Sequence, residues 1–218
     1  MIDFDFHLLD VSVELDALED FLQLIEKQMD RIQRTERLRL DTRITQEKLS
    51  PDDPEWHSAM DEFDHRVEFF LPRFFRGPFL VTLYAVYESA VIEIARLIQK
   101  RKLHHESIDD QRGAFLKRAK KYYKHILHFD LYKSDDEWEK MMMLSDLRNA
   151  IAHANGRIEM LKPGSKTNID KWERQESGIS NWHGSLVFDA KFVRNIFEVV
   201  HRSLHNLIER YKDFDHGE

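Results

Sequence analysis

Arg148, Asn149 and His153 are the residues whose types and spacing could do chemistry together, in the run Arg-Asn-Ala-Ile-Ala-His within Leu144 to Gly156. A guanidinium offers a fixed fork of donors that suits a phosphate, and an imidazole can carry a proton near neutral pH. On a helix each residue turns by roughly 100°. Met143, Leu144, Leu147, Ala150, Ile151 and Ala154 then gather on one arc that can face a core. Ser145, Asp146, Arg148, Asn149 and His153 gather on the opposite arc. Small Ala152 lies between Arg148 and His153, where a substrate or a second subunit could approach closely. Asn149 and His153 are one turn apart, and Asp146 stacks a turn above them. Ser134-Asp135-Asp136-Glu137 reads as a capping box, and Asn155-Gly156 supplies residues that tolerate a left-handed helix end. A solvated face bearing an ordinary Arg and His has the same spacing. The Asn directly after the Arg, the apolar arc behind the polar one and the terminal Asn-Gly favour a site.

The stretch Leu-Arg-Asn-Ala-Ile-Ala-His, ending at His153, resembles the signature of the HEPN superfamily, helical-bundle proteins that include many endoribonucleases. That signature is an Arg, preferably followed by a polar residue, then a His a few positions on. The resemblance extends to an earlier apolar helix containing Tyr87-Glu88-Ser89 and a long final helix from Asp189, covering residues 78 to 212. It implies RNA cleavage by internal attack of the ribose 2′-hydroxyl. His153 would be general base or acid and Arg148 would hold the scissile phosphate. Asn149 would orient either group, with Asp146 and Glu88 in support. One histidine cannot readily take one proton and give another in the same step, so a homodimer with facing motif helices is expected. The resemblance also implies a bacterial toxin or antiviral defence effector, held in check by an antitoxin or other regulatory protein. A subgroup of the superfamily carries a modifiable Tyr two places after the His; Asn155 stands there instead, so adenylylation of that residue is not implied. The fold alone leaves a second expectation open, a non-catalytic helical module that binds a protein or nucleotide partner.

Other chemistry is sparser. Lys117, Lys120, Lys121 and Lys124, interleaved with Tyr122 and Tyr123, form the strongest local basic patch and the candidate surface for an RNA backbone. A solvated lysine face is the alternative. Glu88 lies in apolar company, and Arg148 is an obvious partner for a buried carboxylate. His125 and His128, like His201 and His205, have metal-compatible helical spacing, but neither pair has a third ligand. With twelve histidines in the chain such pairs arise by chance, so no metal site and no cofactor are assigned.

The elements that must position these residues are helical. Leu15, Leu18, Leu22, Ile25, Met29 and Ile32 keep a three-four spacing in a helix predicted over residues 11 to 49. The seam either closes an antiparallel hairpin on the next helix or binds a partner. Ser50 to Pro54 reads as a turn, and Trp56, Met60, Phe63, Val67 and Phe70 recur at helical spacing until Pro72, which should kink or end that helix. Phe69-Phe70 and Phe74-Phe75 read as core or hinge packing rather than a base-stacking platform, because no regular basic residues accompany the first pair. Arg76-Gly77-Pro78 marks a break before a helix over 79–101 that is apolar around most of its circumference. Further helices are predicted over 109–129 and from Asp189 to Tyr211, with a long loop and short strands between Gly156 and Gly184. The expected fold is an all-α, HEPN-like bundle over 77–218 and an N-terminal helical extension over 1–76, packed on it as a long hairpin. A short irregular or β insertion precedes the last helix.

Composition sets the bounds. The chain has 218 residues, no cysteine, seven glycines and five prolines, which suits long helices and excludes disulfides, thiolate zinc sites and a cysteine nucleophile. A formal charge of -7 argues against a general nucleic-acid coating protein but not against a locally basic RNase site. The acidic start Met1-Ile2-Asp3-Phe4-Asp5 lacks the basic region of a secretory signal. The apolar segment 79–98 is interrupted by Glu88, Glu93 and Arg96, so no membrane span is expected. A cytoplasmic location fits these features.

Overall fold

A computed structural model describes residues 6–215, with side chains from residue 10 to residue 212, so the acidic stretch 1–5 lies outside the described residues. The helices are α1 (Phe6–Glu47), α2 (Pro54–Asp64), α3 (Leu71–Arg101), α4 (Phe115–Tyr122), α5 (Asp135–Ala154), α6 (Pro163–Gln175) and α7 (Ala190–Asp215). Wide π-helical turns at His65–Phe70 and Tyr123–Leu127 follow α2 and α4. The class is all-α, with one antiparallel pair, β1 (Ile179–Trp182) and β2 (Ser185–Phe188), before the last helix. The chain falls into two units: a first of residues 1–19, 80–149 and 194–218, and a second of 20–79 and 150–193. The boundary expected at 76/77 lies inside α3, which runs unbroken through it.

In the second unit the seam of α1 closes within the chain. Leu22, Ile25 and Met29 are buried, as is Leu40 farther along, while most of the charged residues beyond Met29 are exposed. Ion pairs fix the antiparallel register: Glu26 with Arg76, Glu36 with Arg66 and Arg43 with Glu62. The first is the strongest, because Arg76 donates to both carboxylate oxygens of Glu26, at 2.8 and 2.6 Å, and to the Phe188 carbonyl at 3.0 Å. Their side chains are only 13% and 21% exposed, so neither charge is well solvated without the other. The exposed pairs contribute far less.

Two expectations for this stretch change. The path 54–101 does not end at Pro72 or break at Gly77-Pro78. The π turn absorbs the first proline: the Leu71 N–H reaches five residues back to the Arg66 carbonyl, and the widened turn relieves the clash of the ring with the turn before it. Pro78 lies inside α3 with its ring exposed, and the burial of Gly77, Phe79 and Leu80 offsets the lost hydrogen bond. By length and composition 54–101 could cross a membrane, yet half of its most apolar window is buried inside the protein.

The segment after α5 is also more regular than expected. Residues 163–175 form α6, with Pro163 in the first turn, where its missing N–H costs nothing, and Ile169 and Trp172 buried on one face. The strands pair from Ile179 with Phe188 to Trp182 with Ser185, joined by His183 and Gly184. Both loop residues have positive φ, 47° and 82°, the mirror-image turn that matches strand twist. At Gly178, φ is 93° and an added Cβ would stand 2.5 Å from the Asp189 carboxylate, which caps α7 through the Phe192 N–H. Glycine is therefore required there.

The first unit is built around the apolar length of α3. Leu80, Leu83, Tyr87, Val91, Ile94, Ala95 and Ile98 are all fully buried, as are Leu144 and Leu147 of α5 and Val200 and Leu204 of α7. Its buried tyrosines keep their hydroxyls satisfied: Tyr87 with Tyr132 at 3.1 Å, and Tyr123 donating to the Val91 carbonyl at 2.7 Å. The helix predicted over 109–129 is shorter. A capping box at Ser107 closes one short turn at 108–110, and Gly113 at φ 111° breaks the path before α4 begins.

Candidate functional site

Helix α5 carries the motif on the face the sequence predicts. Met141, Met143, Leu144, Leu147, Ala150 and Ala154 are buried, while Asn149, Ala152 and His153 are exposed and Ser145, Asp146 and Arg148 are half-buried. Ile151 is half-buried rather than in the core. Ser134 accepts the Glu137 N–H at 3.2 Å, but the Glu137 carboxylate reaches one residue past the cap to the Lys133 N–H at 2.9 Å and also accepts from Ser203. The start of α5 is thereby tied to α7. Its far end closes through Asn155 at φ 49° and Gly156 at φ 72°, with the Gly156 N–H on the Ala150 carbonyl.

Arg148 belongs to the first unit, where its guanidinium is held on two sides. It lies 5.4 Å from the centre of the Tyr84 ring, and Nη1 donates to the Asn149 side chain at 2.9 Å. Its Nε is buried with no hydrogen-bond acceptor. The Tyr84 ring is almost fully buried, and its hydroxyl is hydrogen-bonded to Ser145. Burial pushes the Tyr84 pKa up; the Ser145 bond opposes the shift, Glu88 adds to it, and Arg148 and Arg118 work against it. Arg118 lies over Phe115, which meets Tyr84 edge-on at 6.5 Å, and its Nε is likewise buried without an acceptor. Two guanidinium groups with spare donors thus flank one tyrosine, a suitable arrangement for an anion.

The other predicted residues are distributed unevenly. Glu88 is half-buried and close enough to bias Tyr84, but no ion pair joins it to Arg148 among the described residues; the guanidinium engages Tyr84 and Asn149 instead. Of the lysine patch, Lys117, Lys121 and Lys124 are exposed, whereas the Lys120 ammonium sits 4.4 Å over the Trp138 ring. Among the described residues no three His, Asp or Glu side chains gather where they could hold a metal ion. The His201 and His205 rings stack in parallel 6.5 Å apart.

His153 belongs to the second unit and has no hydrogen-bond partner among the described residues. The chain just beyond it is clamped to the β hairpin. Leu186 N–H donates to the Gly156 carbonyl at 2.9 Å and Ile158 N–H to the Gly184 carbonyl at 2.8 Å. Arg73 donates to the Asn155 carbonyl at 2.8 Å, and burial together with nearby Arg157 lowers its pKa. Sequence reasoning missed Tyr84, Arg118, Arg73 and Arg157. Arg118 was visible only as one more cation in a lysine-rich helix, and Arg73 is 82 residues from its acceptor. Comparison with protein-family models, curated proteins and solved structures gave no match.

Proposed function

We propose that the chain is a metal-independent endoribonuclease, a HEPN-like enzyme that cleaves RNA through Arg148 and His153. The observation that carries this reading is the contrast on one helix face: a guanidinium fixed against Tyr84 and Asn149, and an exposed imidazole with no internal partner. Arg148 holds a non-bridging oxygen of the scissile phosphate and the charge that develops there. His153 takes the proton of the 2′-hydroxyl as that oxygen attacks phosphorus. The 5′-oxygen leaves and is protonated by the His153 of a second copy, which leaves a 2′,3′-cyclic phosphate and a 5′-hydroxyl. Exposed Ala152 and Asn149 allow the two motif helices of a homodimer to approach. A cytoplasmic toxin or antiviral defence effector, silenced by a partner protein, is the biological role such an activity fits.

Incubation of the purified chain with RNA in excess chelator, beside Arg148→Ala and His153→Ala proteins, tests the reading. The expected result is cleavage by the parent alone, with cyclic phosphate ends, and toxicity on induced expression that both substitutions relieve. Ends with a plain 3′-hydroxyl, or cleavage that survives both substitutions, would overturn it. RNA or protein binding without cleavage would assign the chain to the non-catalytic modules. Dilution tests the shared site: a rate per chain that is undiminished in a fully monomeric protein removes the homodimer from the mechanism.

A further inference from the structure

The aromatic cluster around the start of α3 is not all core. Phe69 is buried, but Phe70 and Phe74 are 36% and 55% exposed, and their rings lie parallel within 8° at 5.5 Å. The wide turn at 65–70 lets one side chain meet neighbours both four and five residues on: the His65 ring is 4.9 Å from Phe69 and from Phe70. Trp182 of β1 stacks on Phe69 at 6.4 Å and supports the cluster from the hairpin. Arg73 lies 5.3 Å from the centre of Phe69 and 6.0 Å from that of Phe74, so a cation accompanies the exposed pair after all. All of these residues belong to the second unit, as does His153.

Charge decides what this surface suits. Arg157 is close enough to Arg73 to disfavour the charge of Arg73, and neither arginine has a carboxylate partner among the described residues. Arg73 spends one donor on the Asn155 carbonyl, two residues beyond His153, and its Nε has no acceptor. A protein segment could cover flat apolar rings, but an unneutralised arginine over Phe74 and a second arginine near the first favour a ligand that carries its own anion next to a planar ring. A nucleotide in a single strand is such a ligand.

We infer that Phe70 and Phe74 form a stacking platform for an unpaired nucleobase of single-stranded RNA, with Arg73 and Arg157 taking the adjacent phosphate. The cleavage aspect of this inference rests on the endoribonuclease reading; the binding aspect does not. The platform lies beside the chain segment that follows His153, so it selects an unpaired base next to the phosphodiester being cut. Duplex RNA, whose bases are stacked on one another, cannot use it.

The test uses the full chain and a short single-stranded 2′-deoxy oligonucleotide, which has no 2′-hydroxyl to attack, followed by fluorescence anisotropy. Phe70→Ala/Phe74→Ala should weaken binding about ten-fold or more, and Phe74→Leu, which keeps an apolar side chain but no ring face, should also weaken it. Phe74→Trp should restore or strengthen it. Arg73→Ala should weaken binding and make it less salt-dependent. Both rings are exposed, so circular dichroism should report intact folds; Phe74→Trp, which keeps the ring face, remains informative if the double variant unfolds. Equal affinity of parent and alanine variant, equal affinity for duplex and single strand, or a Phe74→Leu protein that binds as the parent does would each overturn the inference. So would an oligomer that dissociates in the phenylalanine variants while oligonucleotide binding is retained, since the rings would then cover a protein interface. Phenylalanine-dependent binding without any RNA cleavage would sustain the platform and sink the endoribonuclease reading. Cleavage that ignores the phenylalanines would do the reverse.

Discussion

At the Arg148 end of α5 the cation is half-buried, laid against Tyr84 and bonded to Asn149; at the His153 end the imidazole is exposed and unsupported. The surroundings differ in kind as well. In the first unit the arginine lies against the buried ring of Tyr84 and bonds to Asn149. In the second unit the histidine is followed by a left-handed helix end whose Asn155 carbonyl accepts from Arg73. A group that must hold a charge gains from being fixed in advance, because no reorganisation is then needed as the reaction proceeds. A group that must exchange protons with a substrate needs to be reached. In the proposed mechanism Arg148 takes the first task and His153 the second.

The most severe way to break the comparison is to remove each group in turn. Arg148→Ala and His153→Ala should each lower RNA cleavage by about 10²-fold or more. They should differ in stability: the unfolding free energy from denaturant titration should fall measurably for Arg148→Ala and stay within about 0.5 kcal/mol of the parent for exposed His153→Ala. Equal destabilisation by the two would erase the distinction between a fixed and a free group.

A second prediction concerns the unit that carries His153. Arg76→Ala strands the Glu26 carboxylate, and urea unfolding should show a loss of about 3 kcal/mol. Adding Glu26→Gln should recover part of that loss, because the two residues act as one unit. Additive losses would show that the pair does not secure the hairpin.

A smaller effect sharpens the Arg148 side. Tyr84→Phe removes the hydroxyl bonded to Ser145 while keeping the ring under the guanidinium. Stability should fall by about 1 kcal/mol, and cleavage by a few-fold through looser placement of Arg148. If cleavage falls as far as in Arg148→Ala, the tyrosine hydroxyl itself takes part in the reaction.

The mildest perturbation is alkali. Burial raises the pKa values of Tyr87 and Tyr123 well above the ordinary tyrosine range. A raised acid pKa means that the native state keeps the proton after the unfolded chain has released it. The associated stability is therefore complete below about pH 10, the unfolded value, and declines as pH rises beyond it. Far-ultraviolet circular dichroism and tyrosinate absorbance should change together, with loss of the first unit's structure. Tyrosinate appearing at its ordinary pH in a chain that stays folded would contradict the burial of these rings.

Much of the fold was legible in the sequence because it is local. The arcs of α5 follow from helical periodicity, and Asn155-Gly156 ends that helix through backbone preferences of its own. The three-four seam of α1 likewise announced a buried stripe but not what would cover it. Where local signals were overruled, packing was the cause. Pro72 read as a kink or an end and Gly77-Pro78 as a break, yet a widened turn and buried neighbours carry the helix past both. Lys162-Pro163-Gly164-Ser165 read as loop, although a proline in the first turn is compatible with the α6 it opens.

By itself, the sequence determined the all-α class, the amphipathic motif helix with Arg148 and His153 on its polar side, and the place of the strands before the last helix. Tertiary structure alone decided the company those residues keep. Tyr84 comes to Arg148 from α3, Arg73 reaches the end of α5 from 82 residues away, and Trp182 of the hairpin covers Phe69 while Phe70 stays exposed. The physical reason is range. Periodicity and capping act over one or two turns of chain, whereas burial and charge partners depend on segments that only folding brings together.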